Sequence, residues 1–142
     1  MRRQIKYRDG YKYQLCADHY VQTPFLGMAF RIDGYGCLDQ AGLLYIRRSY
    51  AWNGASGPTV DTPETIAPSC EHDFFYQGMT LGAFPIAARP LVDDFFYRRL
   101  LQCGLNKRYW KRFRAWVWRK VVGAFGGSHA DREAPRILTA PA

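Results

Sequence analysis

Several features that mark other classes of protein are missing from this chain of 142 residues. Its four cysteines stand 21, 33 and 33 residues apart without any C-x-x-C pair, which argues against a zinc site. No run of about 18 apolar residues occurs, so we expect no membrane-spanning helix. The basic start at residues 1–9 is not followed by an apolar stretch, so we expect neither a secretory signal nor disulfides.

Charge and hydrophobicity bound what the chain can be. Lys and Arg number 20 against 12 Asp and Glu, a net charge of +8, so the surface should attract nucleic acid, anionic lipid or an acidic partner. Hydrophobic residues make up 48% of the sequence, which suffices for a core that needs neither disulfides nor a structural metal. We expect one domain over residues 1–127 and a loose tail over residues 128–142.

The order of patterns along the chain predicts an α+β fold. Between residues 11 and 50, Tyr, Val, Ile and Phe are interrupted by Gly and Pro, which is typical of short strands. Residues 11–15 alternate between two kinds of side chain, and residues 43–50 are the best strand candidate. Helices are predicted over 68–77, 90–103 and 107–125. The expected architecture is a small N-terminal antiparallel sheet followed by three helices, of which the first two form an antiparallel pair.

One histidine has neighbours that suggest chemistry. His72 and Tyr76 are four residues apart in the first predicted helix, so they share a face. In the second helix, Asp94 has Arg98 at i+4 and should form an exposed pair, whereas Asp93 shares its face with apolar residues and should point inward. A buried carboxylate needs a partner. Antiparallel packing would bring His72 close to Asp93, and we predict a contact between them.

A histidine held by a carboxylate can act as a general base. The carboxylate fixes the tautomer at one ring nitrogen and stabilises the imidazolium, so the other nitrogen can take a proton from water. Asp73 could then hold a hard cation such as calcium, with backbone oxygens of the glycine-rich loop at 53–57 completing the shell. These parts suit the hydrolysis of an ester. A structural hydrogen bond between two helices, next to an ordinary turn, explains the same residues equally well.

The segment over residues 52–103 resembles the secretory phospholipase A-two superfamily, especially its small bacterial members. In that family a tryptophan-led loop precedes a Cys-x-x-His-Asp-x-x-Tyr helix and a second helix that bears an aspartate. The resemblance implies that His72 is the general base and that Asp93 is the carboxylate that orients it. It also implies that Tyr76 braces this pair.

The same resemblance implies a calcium site. Asp73 matches the calcium-binding carboxylate of the family, and the backbone at Asn53 and Gly54 would supply further ligands. Asn53 stands where the family has a loop aspartate. The cysteines that link loop and helix in the family are absent here, so the corresponding disulfide is missing.

A second resemblance covers more of the chain, roughly residues 11–104. The order of strand, W-N-G-A-S loop, H-D-F-F-Y helix and Arg-led helix with an inward Asp resembles the phage and prophage family called domain of unknown function 1353. That family typically shows a D-G-A-S-x-P loop and an H-D-x-x-Y helix, and Asn53 departs from its loop. The resemblance implies a phage or prophage origin and a location in the host cytoplasm or the virion.

The third predicted helix, over 107–125, combines seven positive charges with aromatic residues and no negative charge. An apolar stripe along it predicts a core helix with a solvated basic back. Trp116 and Trp118 fall off this stripe, which suits contact with an anionic lipid surface or a phage structural protein. Nucleic acid ranks last because no nucleic-acid-binding motif accompanies the charges. The candidate contact residues are Arg112, Arg114, Trp116, Trp118 and Arg119.

Two functions are compatible with these patterns. The first is a phospholipase-like hydrolase that cleaves a lipid ester with the help of calcium. The second is a non-catalytic virion or assembly protein, a tail or capsid component, that keeps the helix pair as a structural element and docks a partner through the basic aromatic helix.

Overall fold

The computed structural model describes residues 4–8, 13–52, 63–104 and 137–142. The strands are β1 (Gln4–Arg8), β2 (Tyr13–Leu15), β3 (His19–Gln22), β4 (Phe30–Ile32), β5 (Gly36–Leu38), β6 (Leu43–Ile46), β7 (Ala51–Trp52) and β8 (Ile137–Pro141). The helices are α1 (Pro63–Thr80) and α2 (Arg89–Gln102), with a 3-10 turn (Ile86–Ala88) before α2. The predicted α+β class is confirmed. The described residues contain two α-helices rather than three, and the third predicted helix, over 107–125, lies outside them.

The strands form two antiparallel sheets, where the sequence predicted one. The first sheet has the order β7-β2-β1-β8 and the second the order β3-β6-β5-β4. The chain bends at residues 16–17, so β3 begins the second sheet instead of extending the first. Alternation along β6 places Leu44 and Ile46 in the core, as expected for a sheet with one buried face.

The chain returns to the first sheet at its last strand. β8 pairs antiparallel with all five residues of β1, and Ile5 lies opposite Ala140, with both side chains buried. The prediction of a loose tail over 128–142 is therefore wrong for residues 137–141. Pairing with β8 satisfies the backbone groups of β1 that β2 leaves unpaired. Pro141 can end β8 because it is an edge strand.

The first helix starts earlier than the sequence indicated. The prediction placed its start at Pro68, but α1 begins at Pro63, and Pro68 lies inside it. A proline at this position removes one backbone hydrogen bond, and the burial of its neighbours Thr65, Ile66 and Ala67 offsets that loss. The start of α2 was predicted within one residue. Neither α1 nor α2 is long and apolar enough to cross a membrane.

An aromatic core fixes α1 against the second sheet and α2. The Phe25 ring makes edge-to-face contacts with Phe75 of α1 and Phe95 of α2, at centroid distances of 5.1 and 5.7 Å. Gly78 of α1 packs directly on Phe30 of β4. The contact is so close that a Cβ atom at Gly78 would lie 2.5 Å from Phe30 Cε2. These contacts hold the two helices in a defined register.

The four cysteines are free thiols in the structure. Cys70 and Cys103 are buried, and Cys16 and Cys37 are partly exposed. Burial raises the pKa of Cys70 well above its usual value and that of Cys103 to about 11, so both buried thiols stay protonated at neutral pH.

Candidate active site

The predicted contact between the two helices is confirmed. His72 of α1 is buried, and its Nε2 lies 2.8 Å from Oδ1 of Asp93 in α2. Asp94 points away and forms an exposed ion pair with Arg98, with 3.1 Å between the charged atoms. The apolar stripe of α2 therefore distinguished the inward aspartate from the outward one.

The two helices are antiparallel, also as predicted. As α1 proceeds along the chain, its residues contact α2 residues that lie progressively nearer the start of α2. Glu71 contacts Arg99, His72 contacts Phe96, and Tyr76 contacts Asp93. This arrangement brings residues 71–76, in the middle of α1, against residues 93–99 of α2.

Tyr76 braces the same carboxylate. Its hydroxyl donates a hydrogen bond of 2.6 Å to Asp93 Oδ1, and its ring lies over the imidazole, with 4.2 Å between the centroids of His72 and Tyr76. Burial and then the bond to Asp93 raise the pKa of the Tyr76 phenol. The hydroxyl therefore remains a hydrogen-bond donor at physiological pH. Oδ1 of Asp93 is contacted by both the Tyr76 hydroxyl and His72 Nε2.

The other side of the imidazole faces a second carboxylate. His72 Nδ1 lies 3.9 Å from Asp73 Oδ1, and the Asp73 side chain is partly exposed. An ionised carboxylate can only accept hydrogen bonds, so the Asp93 contact favours the tautomer with its proton on Nε2. In that tautomer Nδ1, on the Asp73 side, is the basic nitrogen.

The described residues supply one of the three predicted calcium ligands. Asp73 lies at the site, whereas Asn53 and Gly54 fall outside the described residues. Among the residues that the structure does describe, no group of three His, Cys, Asp or Glu side chains could hold a metal ion. A calcium ion beside Asp73 would therefore depend on backbone oxygens from the loop, which is the donor type that calcium accepts.

A second buried polar network adjoins the first, and the sequence reasoning missed it. Glu71, which is 1% exposed, receives a two-atom hydrogen bond from Arg99 of α2, with Nε–Oε1 at 2.7 Å and Nη2–Oε2 at 3.0 Å. His19 of β3 lies 3.0 Å from the same carboxylate, and Gln102 accepts from Arg99 Nη1 at 2.9 Å. This network ties the second sheet to both helices.

The charge on Glu71 is maintained despite its burial. Burial pushes the pKa of Glu71 upward, but hydrogen bonds from His19 and Arg99 outweigh it, and the pKa is lowered. Burial similarly opposes the charge on Arg99, and the bonds to Glu71 raise its pKa. One signal was present in the sequence: Arg99 follows Phe95 and Phe96 by four and three residues, which puts a charge on the apolar face of α2.

The candidate contact residues of the third predicted helix lie outside the described residues. They are Arg112, Arg114, Trp116, Trp118 and Arg119.

Comparisons with protein families, curated proteins and solved structures find no match to this chain. The two resemblances therefore stay predictions, and a function has to be argued from the site itself.

Proposed function

We propose that this protein is a phospholipase-like hydrolase that cleaves an ester with His72 as its general base. The observation that carries the proposal is the orientation of the imidazole. Nε2 is engaged by Asp93 at 2.8 Å, while Nδ1 is directed toward the partly exposed Asp73. A base needs one nitrogen fixed and the other directed at the reacting water.

Each residue then has a defined part in the reaction. His72 Nδ1 takes a proton from water, and the water oxygen bonds to the carbonyl carbon of the ester. Asp93 accepts a hydrogen bond from Nε2–H and stabilises the imidazolium that forms. Tyr76 holds Asp93 in place. The proton passes from the imidazolium to the leaving alcohol as the ester bond breaks, which yields a carboxylic acid and an alcohol and returns His72 to its neutral form.

Calcium is part of the proposal through the residues that would hold it. Asp73 would contribute a carboxylate oxygen, and the backbone at Asn53 and Gly54 would contribute carbonyl oxygens. When bound, calcium would supply positive charge to stabilise substrate oxygens. The basic residues around Trp116 and Trp118 would bring the protein to an anionic lipid surface, and the resemblance to the phage family favours a phage origin.

A second candidate function is a non-catalytic role in phage assembly. It is favoured by the complete burial of the His72 side chain, which suits a structural clamp between two helices. It is also favoured by exposed apolar side chains around the α1–α2 connection, where Leu81, Ile86 and Leu91 are 62%, 61% and 57% exposed. In that role a phage structural protein would be the partner.

The two candidates differ in a hydrolysis assay. Release of fatty acid from phosphatidylglycerol vesicles is measured with calcium and with a chelator, for the unmodified protein, for His72→Gln and for the control Asp94→Asn. The hydrolase predicts calcium-dependent release that His72→Gln lowers by a factor of about 100 or more and that Asp94→Asn retains. Urea unfolding of each variant separates lost chemistry from lost folding.

Equal release by His72→Gln and the unmodified protein would contradict the hydrolase, as would no release from any of several ester lipids. The assembly role makes a different prediction, tested with variants that replace Trp116 and Trp118 by Ala and reverse Arg112 and Arg119. These variants should be lost from purified phage particles, while the unmodified chain should not bind anionic vesicles.

A further inference from the structure

One arginine near the candidate site has a buried donor with no acceptor. Arg89 is the first residue of α2, and its Nε is buried without a hydrogen-bond partner among the residues that the structure describes. The other two arginines of α2 have acceptors: Arg99 is held by Glu71, and Arg98 by Asp94. Buried donors in folded proteins are almost always bonded, so the one at Arg89 calls for an acceptor from elsewhere.

Arg89 lies beside the His72 site rather than at a distance from it. It precedes Asp93 by four residues on the same helix, so both side chains lie on the face of α2 that meets α1. Its charge also reaches Tyr76: burial and the Asp93 bond raise the pKa of Tyr76, and the Arg89 charge opposes them. The helix spacing therefore places Arg89 on the Tyr76–Asp93 side of the site.

The surroundings favour an anionic ligand. The first turn of α2 contains no acidic residue, and Asp93, whose Oδ1 contacts His72 and Tyr76, does not accept a hydrogen bond from Arg89 Nε. A guanidinium offers several N–H donors in one plane, which matches the oxygens of a phosphate.

We propose that Arg89 binds a phosphate group beside the His72–Asp93 pair. The bound oxygen accepts the hydrogen bond from Nε that no described residue accepts. Under the proposed hydrolase function, on which this assignment of source rests, the phosphate belongs to a phospholipid headgroup. Binding of the phosphate itself does not require hydrolysis.

Phosphate binding tests the proposal directly. Titration calorimetry with inorganic phosphate compares the unmodified protein with Arg89→Gln, Arg89→Lys and Arg98→Gln, the last of which removes the same charge from an exposed position of the same helix. We expect Arg89→Gln to weaken binding about tenfold or more, Arg89→Lys to weaken it by less, and Arg98→Gln to change it by less than about twofold. Arg89→Lys retains the charge and serves as the informative variant if Arg89→Gln does not fold.

Two further arms separate the sources of phosphate and the two proposals. Short-chain phosphatidylglycerol should displace inorganic phosphate, and the matching diacylglycerol, which has no phosphate, should not. Displacement by glycerol phosphate but not by the lipid would support the Arg89 site with a soluble phosphate ester as its ligand. In His72→Gln, dependence of phosphate binding on Arg89 should persist, so this proposal can hold even if hydrolysis is absent.

Three results would overturn the proposal. They are no phosphate binding by the unmodified protein in the millimolar range, equal weakening by Arg89→Gln and Arg98→Gln, and unchanged binding in both Arg89 variants.

Discussion

His72 and Asp93 lie 21 residues apart in the chain and are joined by a contact of 2.8 Å between Nε2 and Oδ1. The contact crosses the interface of two helices whose relative position is set by the aromatic core. Because Tyr76 donates to the same oxygen atom, two side chains of α1 hold the carboxylate of α2. Asp93 thus contributes both to the stability of the helix pair and to the orientation of the imidazole.

Replacing that side chain should therefore be costly. Asp93→Asn is expected to lower the free energy of unfolding by about 1–3 kcal/mol, because His72 and Tyr76 lose an ionised acceptor. Asp94→Asn, whose carboxylate forms only an exposed pair with Arg98, should cost at most about 1 kcal/mol. Urea unfolding at neutral pH measures both. Equal losses in the two variants would contradict the assigned role of Asp93.

The buried Glu71 should make stability depend on acid. The pKa of Glu71 is lowered in the folded protein, so its contribution is present above the unfolded pKa, near 4.3, and is lost as the pH falls through the folded value. Glu71→Gln is expected to cost about 3–5 kcal/mol at neutral pH, because it leaves Arg99 buried without its counter-charge. The cost should shrink below pH 4.

The matched control for this prediction is Glu64→Gln, which changes a partly exposed glutamate in the first turn of the same helix. It should cost at most about 1 kcal/mol. Urea unfolding of both variants between pH 7 and pH 3 gives the comparison. A cost of Glu71→Gln that stays constant over this range would show that the charge of Glu71 does not stabilise the fold.

Gly78 should be intolerant of alanine, although alanine is the better helix former. In a solvent-exposed helix the change from Gly to Ala stabilises by about 1 kcal/mol. Here the added Cβ would lie 2.5 Å from Phe30 Cε2, so we expect Gly78→Ala to destabilise by about 1–3 kcal/mol. Combining it with Phe30→Leu should recover part of that loss, measured by thermal unfolding. A stabilised Gly78→Ala would contradict the close packing of α1 on β4.

Calcium should stabilise the folded protein if Asp73 holds it. A ligand at one hundred times its dissociation constant adds about 2.7 kcal/mol, which raises the melting temperature. Asp73→Asn should remove the shift, and Asp94→Asn should retain it. An equal concentration of magnesium controls for ionic strength. The absence of a shift in the unmodified protein at millimolar calcium would leave Asp73 without a role as a ligand.

Local spacing was sufficient to predict part of the site. The i+3 and i+4 neighbours of Asp93 are apolar, whereas Asp94 has Arg98 at i+4. This difference was enough to assign Asp93 as the inward residue from the sequence alone. The contact with His72 followed because a buried carboxylate needs a donor and a long connection lets consecutive helices pack antiparallel.

Features that depend on distant parts of the chain could not be predicted in this way. His19 meets Glu71 across 52 residues, and no spacing rule links a strand residue to a helix residue so far away. The pairing of β8 with β1 joins the two ends of the chain and has no local signature. Pro68 gave a misleading signal, because burial outweighed the local preference of proline for the first turn of a helix.

The most direct test of His72 as a base is long-range 1H–15N NMR, which shows which nitrogen of the neutral ring carries the proton. We expect the proton on Nε2, where Asp93 accepts a hydrogen bond, and none on Nδ1. Asp94→Asn should give the same tautomer. If the neutral ring instead carries its proton on Nδ1, then Nδ1 cannot take a proton from water, and a base at that atom is contradicted.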